Sequence, residues 1–309
     1  MSYTFHSNGK LLITGEYVVL DGAKALAIPT KLGQSMVARA SGSNAIQWTS
    51  LDEQGNCWFE ETFSTQDLRP VTGPGQEHIP EDNPLSKTLS NILRKAKELN
   101  PSFWQSNQHW NITTKLDFPR DWGLGSSSTL INNIAQWAHV DAFILLNESF
   151  GGSGYDIAAA QNDTPIIYQR NQNNPKVKPV SLPWNFKEQL YFVHLNEKQD
   201  SKEGIRRYKS AKALRTISLD PFSEITEKIV GCTQLSVFES LLEEHEALLS
   251  AYLDIPTVKT RLFPDYPGMV KSLGAWGGDF VLATGTSETP SYFKEKGYHT
   301  VLSFSEMTP

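Results

Sequence analysis

The chain has 309 residues, which is long enough for a full hydrophobic core and for two domains of ordinary size. Hydrophobic residues make up 39% of it and charged residues 20%, so the composition excludes a disordered or fibrous protein. The formal net charge of -6 gives no reason to expect binding to nucleic acid or to an anionic membrane. An anionic ligand would therefore need a local basic patch.

The cysteines and the apolar segments indicate the compartment. Cys57 and Cys232 have neither metal-ligand spacing nor the count of a disulfide framework, which is typical of a reducing environment. Residues 1–9 are polar and lack the order of a signal peptide, and no apolar stretch reaches the roughly 20 residues of a membrane helix. We expect a cytoplasmic protein that binds no membrane and no nucleic acid.

The first part of the chain predicts β-structure. Residues 10–14 and 17–20 have the apolar and β-branched side chains of strands, and Asp21-Gly22 is typical of a hairpin turn. Similar residues continue over 35–40 and 45–63, where they predict an antiparallel meander.

Periodicity and turn residues then predict alternating helices and strands. In chain order these are a surface loop at 69–83, a helix at 86–99, a strand at 110–116, helices at 130–140 and 156–160, strands at 165–169 and 189–195, a helix at 238–253 and a strand at 280–284. A polar, proline-rich stretch at 171–183 predicts a domain junction. We therefore place an N-terminal domain at residues 1–178 and a C-terminal domain at 179–309.

A glycine- and serine-rich turn leads directly into the helix predicted at 130–140. Its residues are Gly123, Leu124, Gly125, Ser126, Ser127, Ser128 and Thr129. Such a turn presents free backbone N–H groups and the positive end of the helix dipole to an anion, so it predicts a phosphate site. The turn lacks the Gly-Lys-Ser/Thr ending of a Walker A loop, so a lysine must come from elsewhere. The structural alternative is an ordinary helix start with spare serines.

Two charged residues are candidates for the chemistry. Lys10 begins the first predicted strand and could supply the missing cation, although a lone lysine on a strand is more often a solvent-facing charge. Asp156 follows the turn Gly151–Gly154 and could accept a hydroxyl proton, although an aspartate at this position alone is more often a cap of the helix that follows. A third glycine turn, Gly274–Asp279, lies near the C-terminus. Together these features predict phosphoryl transfer.

Three segments resemble the ordered motifs of the GHMP kinases, the superfamily of galactokinase, homoserine kinase, mevalonate kinase and phosphomevalonate kinase. Residues 9–19 are similar to the first motif, 119–128 to the second, and 271–279 to the third. The resemblance spans nearly the whole chain. It implies an α+β fold of two domains, with a mixed-sheet N-terminal domain, a ferredoxin-like C-terminal domain and the nucleotide site in the cleft.

The resemblance also implies roles for individual residues and the cofactors ATP and Mg²⁺. Asp156 is the implied catalytic base and Lys10 its cationic partner. The residues implied to bind the nucleotide are Gly123, Leu124, Gly125, Ser126, Ser127, Ser128, Gly277 and Gly278, with Ser127 also contacting Mg²⁺. The residues implied to bind the substrate are Glu16, Tyr17, Ser153 and Gly154, and Arg206 is a further candidate because of its charge.

Residues 15–17 and 152–158 look more like phosphomevalonate kinases than mevalonate kinases. The implied acceptor is therefore phosphomevalonate or mevalonate, in isoprenoid precursor synthesis. Three alternatives stay open: another small acceptor such as a sugar or amino alcohol, a diphosphomevalonate decarboxylase, and a nucleotide-binding relative without catalysis. We expect a small-molecule phosphate acceptor as the binding partner, and a monomer or homodimer.

The sequence departs from the family pattern at a few positions. Trp276 stands where the third motif usually has glycine, and Ser128 and Thr129 replace small alanines. Glu148 and Asp141 are both candidates for the carboxylate that some relatives use to hold Mg²⁺.

A phosphorylated acceptor would need cations around it. The best basic cluster in the second half is Lys198, Lys202, Arg206 and Arg207, for which a solvated helix face is an equal alternative. His194 and His245 lie in apolar patterns and are predicted to be packed in the core.

Overall fold

The structure is a computed structural model that describes residues 1–42, 45–71, 83–103, 109–171, 174–197, 201–274, 276 and 278–309. The chain forms two compact units. Unit 1 contains residues 1–9, 32–120 and 125–161, and unit 2 contains residues 10–31, 121–124 and 162–309. Each unit is discontinuous in sequence. The predicted domain boundary after residue 178 stays a prediction.

The described part of unit 1 combines strands with four helices. Its elements are the first part of β1 (Ser2–Thr14), the second part of β2 (Lys24–Ala40), β3 (Ile46–Leu51), β4 (Cys57–Phe63), α1 (Pro84–Leu99), β5 (Trp110–Leu116), α2 (Ser126–Ala138), α3 (Ala142–Ser149) and α4 (Tyr155–Ala160). β3 pairs with β4 antiparallel and with β5 in parallel, and β5 pairs antiparallel with β2. The predicted meander is therefore wrong in its order, because β5 lies between β3 and β2.

The helix predicted at 86–99 is confirmed as α1. Its start is fixed by the Asn83 side chain, which accepts a hydrogen bond from the backbone N–H of Leu85, and by Pro84 in the first turn. The apolar stripe of Leu89, Ile92, Leu93 and Ala96 is buried in the unit 1 core. That core also contains Trp48, Phe63, Trp110, Ile134 and Leu146.

Unit 2 carries the remaining elements. These are the second part of β1, the first part of β2, β6 (Ile166–Gln169), β7 (Lys176–Pro179), β8 (Leu190–His194), α5 (Ser201–Leu214), α6 (Asp220–Val230), α7 (Leu235–Leu253), α8 (Val258–Leu262), β9 (Val270–Ser272), β10 (Phe280–Thr284), α9 (Thr289–Glu295), β11 (Val301–Ser303) and α10 (Phe304–Met307). β8 to β11 form an antiparallel sheet in the order β11-β8-β10-β9. β6 pairs antiparallel with residues 24–27 of β2 and with β7.

The strand predicted at 17–20 is wrong. Val18–Asp21 form a 3₁₀ helix, and the next strand starts only at Lys24. Tyr17 has a left-handed φ of 61°, which takes the chain out of the extended conformation, and the Ala23 N–H closes the turn on the carbonyl of Val18. Apolar residues at these positions are buried by a tight turn rather than by a strand.

No helix among the described residues has the length and apolar character needed to span a bilayer.

Candidate functional site

Lys10 and the first half of the phosphate-type loop lie together in unit 2. The Lys10 ammonium donates a hydrogen bond to the carbonyl of Gly123 at 3.0 Å, and its backbone N–H donates to the carbonyl of Leu124, also at 3.0 Å. Two bonds from one residue fix both the strand and its cation against the loop. Gly123 has a φ of 65°, the left-handed conformation that glycine adopts without steric cost.

Aromatic contacts hold the start of this loop on the antiparallel sheet of unit 2. The Trp122 ring packs edge-on against Phe280, with centroids 5.4 Å apart, and against His194 at 6.2 Å. His194 Nε2 also lies 3.3 Å from the carbonyl oxygen of Asp121. His194 is buried, as predicted, so it acts as packing for the loop.

Asp279 supplies a carboxylate to the same place, and the sequence reasoning gave it no role. Its carboxylate fills the space that a Cβ on Gly123 would occupy. The backbone presents it there with a φ of 54°, held by the Asp279 N–H donating to Glu197 and the Leu195 N–H donating to Asp279. An aspartate directly after a glycine pair is a local signal that could have identified it.

The second half of the loop belongs to unit 1. Gly125, with a φ of 92°, precedes α2, and the serine hydroxyls at 126–128 lie on the first turn of that helix. The predicted helix is confirmed but begins four residues before the expected start. Thr129 is buried and donates to Gln34 Oε1 at 2.8 Å, so its hydroxyl belongs to the core of the unit. The serines Ser126, Ser127 and Ser128 therefore carry the predicted ligand contacts, which stay predictions.

Asp156 lies in unit 1 as the second residue of α4. Gly154 precedes the helix, and its carbonyl accepts a hydrogen bond from the N–H of Ala158. Gly154 is therefore the N-cap, and Asp156 does not occupy that position. Its side chain is half-buried, and Ser153 lies in the turn before it. The predicted role as catalytic base is compatible with this placement, since the cap position is already filled by glycine.

The two candidates for a metal carboxylate differ in their structural roles. Asp141 accepts hydrogen bonds from the N–H groups of Phe143 and Ile144, at 2.7 and 3.0 Å, and so caps α3. Glu148 is exposed on the same helix. Among the described residues no group of three or more acids, histidines or cysteines is arranged to hold a metal ion. Ser127, the predicted Mg²⁺ contact, is exposed on the first turn of α2, and metal binding by its hydroxyl stays a prediction.

The residues predicted to bind substrate from the first motif lie inside unit 2. Glu16 is fully buried and contacts Lys271, and Tyr17 stacks on Tyr208 with ring centroids 5.7 Å apart. Burial, followed by the negative charge of Glu16, raises the pKa of Tyr17. Gly204 on α5 faces the Tyr17 ring so closely that a Cβ would overlap its hydroxyl. Substrate binding by Glu16 and Tyr17 stays a prediction.

The third motif places a bulky ring in the core of unit 2. Trp276 is 5% exposed and packs in a cluster with Tyr17, Tyr208 and Tyr252. Gly278 is buried, and Gly277 lies outside the described residues. The loop accommodates the tryptophan by burying it.

The predicted basic cluster is only partly described. Arg206 and Arg207 are exposed on α5, and Arg207 approaches Glu203 at 3.7 Å. Lys198 and the side chain of Lys202 lie outside the described residues. A phosphate contact from Arg206 stays a prediction.

Comparison by sequence finds no matching family profile and no matching curated protein. Comparison by structure finds several kinases that cover almost the whole chain. Mevalonate kinase from Methanococcus jannaschii superposes with a TM-score of 0.69 at 14% identity, covering 98% of this chain and 96% of its own.

Two further structures were determined with ligands. Phosphomevalonate kinase from Streptococcus pneumoniae, in complex with phosphomevalonate and AMPPNP, has a TM-score of 0.69 at 16% identity and covers 97% and 99% of the two chains. Galactokinase from Lactococcus lactis, complexed with galactose, has a TM-score of 0.65 at 13% identity and covers 99% and 93%. The chain therefore has the GHMP kinase fold, and the predicted α+β class is confirmed.

Proposed function

We propose that this protein is an ATP-dependent small-molecule kinase that transfers the γ-phosphoryl group of ATP to phosphomevalonate or mevalonate. The observation that carries the proposal is the pair of hydrogen bonds that Lys10 donates to the loop. Its ammonium donates to the carbonyl of Gly123, and its backbone N–H donates to the carbonyl of Leu124. A lysine fixed on a glycine-rich turn that opens a helix supplies the cation that this turn lacks in its own sequence.

In this proposal each part of the loop has a separate task. The backbone N–H groups of the loop and the first turn of α2 bind the triphosphate, and the serine hydroxyls orient it. Lys10 stabilises negative charge near the transferred group. Mg²⁺, when bound with the nucleotide, neutralises charge on the phosphates. Ser127 is the residue of this chain that would contact the ion.

Asp156 is the proposed base, which accepts or orients the proton of the acceptor as the oxygen–phosphorus bond forms and ADP leaves. The reaction needs no further reactant, since the acceptor loses a proton and gains the phosphoryl group. Most of the rate enhancement would come from positioning and electrostatics.

Two observations support phosphomevalonate or mevalonate as the acceptor. Residues 15–17 and 152–158 look more like phosphomevalonate kinases in sequence. A structure of similar fold was determined with phosphomevalonate and AMPPNP bound. A galactokinase of similar fold keeps a sugar acceptor as the alternative.

The test is release of ADP by the purified protein, measured by a coupled assay with mevalonate, phosphomevalonate, diphosphomevalonate and galactose in parallel. We expect ADP release that depends on one of the first two. Release of phosphate and CO₂ with diphosphomevalonate would instead identify a decarboxylase, and activity with galactose alone would identify a sugar kinase.

A nucleotide-binding protein without catalysis is the second candidate, and the observation that favours it is Trp276 at a position where the third motif usually has glycine. Binding of AMPPNP in a calorimetric titration, without ADP release on any acceptor, would establish this second function and overturn the first.

A further inference from the structure

A group of ionisable side chains is buried in the interior of unit 2, away from any solvent. Glu16, Lys271 and His245 are 0% exposed, and Glu246 is 3% exposed. Glu16 belongs to the first motif, Lys271 begins the third, and His245 and Glu246 lie in the middle of α7. Isolated buried charges are costly, so four such groups in one place need an explanation.

Lys271 is the centre of this group. Its ammonium donates hydrogen bonds to the Glu16 carboxylate and, at 2.8 Å, to the carbonyl of Ser272. Glu246 Oε1 lies 3.7 Å from the same nitrogen. One lysine thus faces two carboxylates, of which Glu16 is the direct partner. Burial raises the pKa of Glu16, while the charge of Lys271 and its hydrogen bond act in the opposite direction.

His245 holds the turn that carries Glu16. Its Nε2 accepts the backbone N–H of Gly15 at 2.9 Å, so the proton of the neutral ring lies on Nδ1. The 3.5 Å approach of Nε2 to Glu16 is therefore not an ion pair. Burial, and then the charge of Lys271, lower the pKa of His245 well below its ordinary value, which agrees with a neutral ring.

These contacts close a ring through unit 2 that returns to the phosphate-type loop. Lys10 and Glu16 are joined along β1 and its turn, and Glu16 contacts Lys271 in β9. β9 pairs with β10, and Asp279, directly before β10, lies against Gly123. The carbonyl of Gly123 accepts a hydrogen bond from the Lys10 ammonium. A shift at the buried pair would therefore be transmitted to Lys10 from both sides.

We propose that Glu16 and Lys271 are positioning residues: their buried contact locks the first motif to the third and so holds the Lys10 ammonium on Gly123. This deepens the proposed function and rests on it for the catalytic consequence. It also gives Glu16 a role inside the unit in place of the direct substrate contact that the resemblance implies.

The charges explain why the pair is sensitive to substitution. Removing Lys271 leaves the Glu16 carboxylate buried without its cation, whereas removing the charge of Glu16 leaves Lys271 with Glu246 at 3.7 Å. Lys271→Met is thus the severe change and Glu16→Gln the mild one. The double variant Glu16→Gln with Lys271→Met removes both charges of the direct pair.

The experiment measures the position of Lys10 without relying on turnover. Wild type, Glu16→Gln, Lys271→Met and the double variant are acetylated briefly with acetic anhydride, and the modification of Lys10 is quantified by mass spectrometry relative to exposed Lys209 on α5. Thermal unfolding of each variant is recorded under the same conditions. Lys228→Met, which removes an exposed lysine 3.7 Å from Glu224 on α6, is the matched control.

We expect modification of Lys10 to rise about threefold or more in Glu16→Gln, which retains a partner for Lys271, and to stay unchanged in the control. In the coupled assay kcat should fall about tenfold in Glu16→Gln and further in Lys271→Met, while KM for the acceptor changes much less. The loss of kcat in the double variant should be no larger than that in the worse single variant, because both substitutions break the same contact between Glu16 and Lys271.

Other outcomes would overturn the inference. Unchanged Lys10 modification in folded Glu16→Gln would show that the pair does not position Lys10. A raised acceptor KM in Glu16→Gln, with losses that add in the double variant, would make Glu16 a substrate contact. If the wild type releases no ADP on any acceptor, the kinase proposal fails, while the Lys10 modification still decides the positioning role.

Discussion

The carboxylate of Asp279 occupies the space in which a side chain on Gly123 would begin. The acid comes from the third motif and the glycine from the second, and both belong to unit 2. Beside them the Lys10 ammonium bonds to the Gly123 carbonyl. A glycine is thus required here twice over, for its φ of 65° and for the close approach of the carboxylate.

Gly123→Ala should therefore weaken nucleotide binding as well as stability. The new Cβ must displace the Asp279 side chain, and the left-handed φ adds strain, so we expect a stability loss of about 2 kcal/mol and at least a tenfold rise in the Kd for AMPPNP. Gly55→Ala is the control, because Gly55 has a φ of 88° but nothing within 4 Å. It should lose only about 1 kcal/mol and leave the Kd unchanged. Equal Kd values for both variants would contradict the assignment.

The stability of the protein should fall as the pH rises from neutral to mildly alkaline. Burial raises the pKa of Glu246 to about 8 from its ordinary 4.5, with Lys271 opposing and Glu16 reinforcing the effect. Between these two pH values the folded state holds a proton on Glu246 that the unfolded chain has lost. The stability that Glu246 contributes is therefore fully present below pH 4.5 and is lost as the pH rises to about 8. Lys271, Glu16, neighbouring His245 and the backbone of Ser272 are the groups around it.

Glu246→Gln isolates this effect, because glutamine cannot ionise. Between about pH 6.5 and 8.5 the free energy of unfolding of the wild type should fall by on the order of 2 kcal/mol relative to that of the variant. Chemical denaturation at each pH measures both values. His245 does not interfere with this comparison. Because its pKa is lowered in the folded state, the stability that it contributes is lost only as the pH falls below 6.5. A difference between the two proteins that stays constant across this range would refute the titration of Glu246.

Local patterns in the sequence predicted the elements whose cause is local. Helix α1 has its cap at Asn83, its proline and its apolar stripe within one stretch, and β5 has a clear alternation of buried and exposed residues. The glycine loop and the turn before Asp156 were found for the same reason, because a glycine-rich turn and the helix after it are adjacent in the chain.

Distant contacts account for what the sequence did not predict. Residues 17–20 have the composition of a strand, but a turn buries them against α5 and α7, which come about 200 residues later. The partner of Glu16 is Lys271, which is 255 positions away. A periodic pattern of apolar residues indicates helices and strands, and it does not indicate which distant residues form a pair. Asp141 as a cap is the opposite case, since its pattern was local and a capping role could have been read from it.

Asp156→Asn should separate binding from turnover. The substitution keeps the size of the side chain in α4 and removes the carboxylate that accepts the proton, so we expect the Kd for AMPPNP to change less than about threefold while kcat falls about 100-fold or more. Calorimetry and the ADP assay measure the two quantities. Asp163→Asn, at an exposed position after the same helix, is the control. An Asp156→Asn variant with wild-type turnover would exclude Asp156 as the base.

Substitutions of Trp276 should decide whether this residue blocks catalysis or simply fills the core. Its indole N–H is buried without a hydrogen-bond partner among the described groups, so Trp276→Phe removes an unsatisfied donor and keeps most of the packing.

We expect Trp276→Phe to change the free energy of unfolding by less than about 1 kcal/mol, and Trp276→Gly, with the residue usual in the third motif, to lose about 4 kcal/mol through the cavity it leaves. Because the ring packs among Tyr17, Tyr208 and Tyr252 in the interior, both the wild type and Trp276→Phe should release ADP. ADP release that begins only in Trp276→Gly would show that the tryptophan blocks the reaction, and the wild-type chain would then be the non-catalytic nucleotide-binding relative.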